Sequence, residues 1–271
     1  MRSTERPDSK EGTGLMEFVE LGDRWLHFFM GVLWIGLLYF FNWVNSAFAP
    51  TMDAETKKKV VPELMPRALY WFRLAAGWTW ITGVILMFVV YYHGPYLVEG
   101  QQQVTASTWL PAFLGLFVGF VVYDLLFKAL AKQHAVAVII WGLIAIGFGA
   151  YCREVQGFSM RATFIHVAAL FGTAMAANVW MRIWPAQRRI ITAIKNGEAP
   201  EAADPALAGL RSKHNTYMSL PLLLFMVAVH QDSLLRFNEG AQPYFAIAGV
   251  LLIGFAFTYL IYAKAKTVPG F

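Results

Sequence analysis

The chain has 271 residues, of which 58% are hydrophobic, 16% aromatic and only 14% charged. A soluble domain carries about 25% charged residues, so this balance excludes an ordinary soluble enzyme and indicates a protein of the lipid bilayer. The formal net charge of +5 reports loop topology in such a chain rather than a nucleic-acid partner. A single cysteine, Cys152, excludes an intrachain disulfide, a four-cysteine iron–sulfur site and a Cys-x-x-Cys-His haem attachment.

Residues 1–24 are polar and mixed in charge, and read as an extramembrane tail with a helical stretch near 15–21. The first apolar run is too long for a signal peptide. A single transmembrane domain over 25–264 follows, an all-α bundle of about seven helices. Their expected spans are 25–45, 70–92, 109–127 (with Asp124 inside), 134–151, 162–184, 215–231 and 244–263. The longest polar segment, 185–213, reads as a loop. Within it 187–194 suits a short interfacial helix, because Arg188, Arg189 and Lys195 flank Ile190, Ile191 and Ile194. Residues 265–271 form a C-terminal tail.

Seven spans put the termini on opposite sides. The face holding the first, third and fifth loops and the C-terminus carries 15 lysines and arginines against 7 on the other. The positive-inside rule then places the N-terminus outside, the C-terminus in the cytoplasm and 185–213 on the cytoplasmic face.

The most unusual stretch is His214-Asn-Thr-Tyr-Met-Ser-Leu-Pro221, with the apolar run after it ending at His230. Residues 215–231 carry no full charge, and as a helix would reach about 25 Å. His214 and His230 therefore sit near opposite faces and cannot hold one metal together. The same orientation sorts the other histidines. His27, His93, His166 and His230 fall on the outer side, and His134 and His214 on the inner.

Ionisable groups at membrane depth are costly and read as functional by default. Four outer histidines with abundant aromatics and no cysteine pairs suit b-type haem, one or two groups, with imidazole nitrogens on iron. The first expected pair is His27 with His166. His230 with His93 is the second, or His230 replaces a member of the first. The bland alternative for His27, His166 and His230 is a buried, hydrogen-bonded imidazole, and for His93 an interfacial cap. His134 reads as a solvated residue. Zinc or copper ranks lower, because the histidines are spread over several helices with no close carboxylate. Asp124 is expected to pair with Arg73 or Lys128. Asn42, Asn45 and Asn178 read as interhelical hydrogen-bonders. His214 reads as a hydrogen-bonder with Asn215 and Tyr217, or as a group facing a quinone.

Arg24-Trp-Leu-His27 followed by Leu33-Trp-Ile-Gly36 resembles the first helix of the membrane domain of bacterial membrane-bound urate hydroxylases of the PuuD type, the urate oxidase N-terminal family. Tyr123-Asp124, His166 with Ala176-Ala-Asn178, Pro185-x-Gln187 and His214-Asn-x-Tyr217-x-Ser-Leu-Pro221 with His230 fit in the same order, over about residues 20–263. A histidine followed seven residues on by Trp-x-Gly is also similar to HemJ-type protoporphyrinogen oxidases, which implies haem. The family pattern implies an eight-helix membrane domain followed by a cytochrome c domain. Here no Cys-x-x-Cys-His is present, so the resemblance implies redox partners on other polypeptides: a separate cytochrome c or other redox subunits. It also implies a bacterial inner membrane with a periplasmic N-terminus. Three functions are then expected: a b-type haem subunit transferring electrons, a urate hydroxylase-like oxidoreductase, or a non-catalytic structural subunit of a respiratory or photosynthetic complex.

Overall fold

The computed structural model describes residues 8–100 and 103–269. It is helical throughout, with one isolated bridge between Val98 and Phe158. Helix α1 covers Asp8–Tyr39 and is prolonged by a π turn, Phe40–Asn45. Helix α2 (Ala54–Leu86) is prolonged by another, Met87–Tyr92. Helices α3 (Ala106–Ala129) and α4 (His134–Ala150) follow, the latter ending in the π turn Tyr151–Val155. Helix α5 (Met160–Asn178) runs through a π turn, Val179–Ile183, into α6 (Trp184–Asn196). Helices α7 (Ala203–Ala228) and α8 (Gln242–Ala265) complete the bundle.

Local sequence sets the ends of these helices. Asp53 caps α2 by accepting from the Thr56 amide, Thr105 and Thr108 cap α3 reciprocally, and Ser159 caps α5 through the Ala162 amide. Gly197, at φ 79°, takes the left-handed position that closes α6.

Six of these helical stretches are long and apolar enough to cross a membrane, so the chain is a multi-pass membrane protein. Helix α7 runs with them, but its first half is polar and is buried against protein, with Arg211, His214, Asn215 and Thr216 inside. Neighbouring spans alternate in direction. His27 at the start of α1 lies against Thr82 near the end of α2, and Asn42 at the other end meets Tyr262 late in α8. The molecule thus has a His166 end and a His214 end.

Helix α5 forms the centre. In its most apolar stretch 78% of residues are buried, against 11% for α1, which identifies α1 as a lipid-facing helix. Alanines 162, 168, 174 and 176 keep α5 thin, so α3 and α7 pack closely on it.

The segment 185–213 is not a loop. Pro185 sits at the first helical position, where its missing N–H costs nothing, and α6 continues directly from α5. The apolar face read as interfacial buries Ala186 and Ile191, and α6 packs on α2 and α7. The expected helix near 15–21 is also part of a longer one, because α1 begins at Asp8.

The turn between α6 and α7 is tied by Arg189, whose guanidinium donates to both oxygens of Asp204 at 2.5–3.1 Å. Asp204 lies outside the apolar span, and these hydrogen bonds hold its carboxyl below the ordinary carboxylate value. A carboxyl lowered on folding stabilises above its unfolded pKa, about 3.9. That contribution is lost as pH falls through the lower folded value. Amide hydrogen exchange across 197–206, corrected for intrinsic rate, should therefore accelerate below about pH 4. Asp204→Asn should show the faster exchange already at neutral pH.

Candidate functional site

Of the six histidines, His166 is the most buried, and both its ring nitrogens are engaged. Nδ1 donates to the Ala162 carbonyl at 2.7 Å, and the Tyr92 hydroxyl donates to Nε2 at 3.0 Å. His27 is half-buried. Its Nδ1 lies 3.1 Å from Thr82 Oγ1, and its ring lies flat on α2 where Gly83 has no Cβ; a Cβ there would stand 3.0 Å from His27 Cε1. His93 and His230 are exposed at helix ends, with His93 Nδ1 donating to the Phe88 carbonyl at 3.1 Å.

The four outer histidines thus share the His166 end, as the topology implies. Among the described residues, no hydrogen bond or ring contact joins one of them to another. An axial ligand must present a ring nitrogen to iron. His166 presents neither, and two of the others sit at the surface. In this arrangement the residues do not fit a haem held between two histidines.

The structure assembles the two inner histidines instead. His134, the first residue of α4, stacks on His214 of α7 with ring centroids 4.9 Å apart, and the two Nε2 atoms are 3.2 Å apart. His214 Nδ1 lies 2.7 Å from the Tyr123 hydroxyl of α3. Asn178 of α5 donates to that phenol oxygen and to Asn215 Oδ1, each at 2.9 Å, and Asn215 donates to the Met175 carbonyl. Four helices therefore converge on one buried polar network. Asn178 acts as the interhelical hydrogen-bonder expected, and so does Asn42, which donates to Ser212 at 2.8 Å.

Beside it lies an ionic cluster. Asp124 does not pair with Arg73 or Lys128. Arg182 grips it with two bonds, at 3.0 and 2.6 Å, and Arg211 adds a third at 2.8 Å. Arg73 instead lies 3.5 Å from the ring centre of Trp184, a cation–π contact that holds α2 to α6. The Arg211 guanidinium rests 5.1 Å from the Tyr123 ring centre, and its Nε and Nη1 are buried without hydrogen-bond partners.

A cavity of about 190 Å³ opens onto the network. It is walled by aromatic rings (Tyr123, Phe127, Trp141, Tyr217, Phe255), both inner histidines and Lys213. Trp141 is buried, and its indole N–H has no acceptor. Such a donor is costly to leave unmade. A second cavity of about 340 Å³ lies on the other side of α7, where Asn42, Asn45, Gln187 and Ser212 line it, and Lys213 borders both.

Sequence reasoning treated His134 as solvated and so missed its contact with His214. The available signal was the topological sorting, which placed only these two histidines on the same inner side.

The family model described as Urate oxidase N-terminal matches residues 52–268. No curated protein matches the chain. No solved structure matches it.

Proposed function

Because the chain belongs to the Urate oxidase N-terminal family, we propose that it is the membrane-embedded module of a urate-oxidising system, with its small-molecule site in the cavity between Trp141 and His214. The unpartnered Trp141 N–H in the cavity wall carries this reading. A flat ring bearing carbonyl oxygens supplies the missing acceptor. The aromatic walls stack on its faces, and the Lys213 ammonium answers the negative charge of urate.

The chemistry follows from the substrate class. Hydroxylating urate with water releases two electrons and two protons. The electrons leave, one at a time, to a separate one-electron acceptor, the class of partner that the sequence implies. The residues of this chain bind and orient the ring, exclude bulk water and receive protons on imidazole or phenol.

Equilibrium dialysis of radiolabelled urate against detergent-purified protein tests this reading. The wild-type protein should bind saturably. Trp141→Phe, which keeps the wall and removes the donor, should weaken binding about tenfold, the value of one hydrogen bond to a charged partner. Absence of saturable binding in the wild type, or equal affinity in the variant, would overturn the proposal.

A further inference from the structure

We propose that Tyr123, His214 and His134 form a proton wire of fixed polarity, leading from the buried cavity to the surface. It rests on the proposed function for what it carries, but on the hydrogen-bond network alone for its direction.

The direction starts from a main-chain carbonyl, which can only accept. Met175 O receives Asn215 Nδ2 at 2.9 Å, which fixes the orientation of that amide. Asn215 Oδ1 then faces Asn178 and accepts from its Nδ2, which fixes the second amide. The same Nδ2 donates to the Tyr123 oxygen. The phenol oxygen is accepting there, so its own hydrogen needs an acceptor. His214 Nδ1, at 2.7 Å, is the one at hand. Were Nδ1 the donor, the phenol hydrogen would be buried with no partner, which costs more than the bond gains.

His214 therefore accepts at Nδ1, and as a neutral ring carries its hydrogen on Nε2. That hydrogen points at His134 Nε2, 3.2 Å away. His134 in turn accepts at Nε2 and carries its hydrogen on Nδ1. Tyr123, Asn178 and Asn215 are fully buried and His214 nearly so, whereas His134 is exposed. Two cations flank the wire: Arg211 over the Tyr123 ring, and Lys213 in the cavity wall. Asp124, the nearby anion, is occupied by Arg182 and Arg211. The surroundings therefore disfavour a resident positive charge on His214 and favour passage.

One transfer balances as follows. His134 gives its Nδ1 proton to water and takes the Nε2 proton of His214 on its own Nε2. His214 takes the phenol proton on Nδ1, and the Tyr123 oxygen takes one proton from the cavity. One proton enters and one leaves. Rotation of the hydroxyl and tautomer exchange of the rings then reset the path.

Nitrogen-15 NMR of histidine-labelled protein in nanodiscs tests the polarity, with His134→Gln and His214→Gln used for assignment. The expected result is protonated Nε2 on His214 and protonated Nδ1 on His134, with Tyr123→Phe releasing His214 into a mixture of tautomers. Protonated Nδ1 on wild-type His214, or tautomers that Tyr123→Phe leaves unchanged, would overturn the wire. Where wild-type membranes oxidise urate with an added one-electron acceptor, His134→Gln should slow turnover about a hundredfold, and added imidazole should restore it. Unchanged turnover in His134→Gln would likewise overturn the wire. Wild-type membranes that fail to oxidise urate would refute the functional reading, and the NMR result would still decide the wire.

Discussion

Replacing Asp124 with alanine should destabilise the bundle by about 3 kcal/mol, the scale found when one partner of a buried ion pair is removed. The loss follows from what stays behind. Arg211 is only 6% exposed in its side chain and donates to Asp124 through Nη2, with its other nitrogens already unpartnered. Without the carboxylate, a whole guanidinium sits among apolar groups with only the face of Tyr123 to answer it. Arg182, at 34% exposure, can turn toward water. Removing the buried cation as well, in Asp124→Leu with Arg211→Met, should recover a large part of the loss. Thermal unfolding in detergent distinguishes the cases. A single variant as stable as the wild type would show that the cluster contributes no stability.

Substituting glycine in α8 should give opposite signs at two positions five residues apart. At Gly254 an added Cβ would lie 2.6 Å from Cγ and Cδ of Pro221 and 2.7 Å from its backbone nitrogen. A proline ring and its main chain cannot swing aside, so α7 and α8 must separate. Overpacking of this kind costs about 1–3 kcal/mol. At Gly249 nothing lies within 4 Å of the added carbon, and replacing glycine by alanine within a helix gains up to about 1 kcal/mol. Gly254→Ala should therefore lower the melting temperature and Gly249→Ala leave it unchanged or raise it. A lowered melting temperature in both would mean that α8 packs differently from the contacts described.

All seven helices were legible in the sequence because each is a long apolar run, and lipid selects for such runs directly. The boundaries were not. Helices α1, α2 and α6 extend well past their apolar parts, where capping and tertiary packing decide. Segment 185–213 looked like a loop because charge density dominates its composition, yet Pro185 and the spacing of Ile190, Ile191 and Ile194 suit a helix. The stretch from His214 to Pro221 stood out for its buried polarity, and it does lie at the centre of the candidate site. Its partners were hidden by distance along the chain. Arg182 and Arg211 reach Asp124 across 58 and 87 positions, and His134 reaches His214 across 80. Side-chain periodicity reveals which residues share a face, but not which faces meet.

The π turn at Val179–Ile183 has a consequence for how α5 and α6 vary. A π turn holds one residue more than the α-helix would, and one residue corresponds to about 100° of rotation. Deleting a single residue there would swing all of α6 around its axis, carrying Arg189 away from Asp204, while Asn178 and everything before it stayed in phase. The two halves of this long rod are indexed separately, so insertions and deletions tolerated at one end need not disturb the phase of the other.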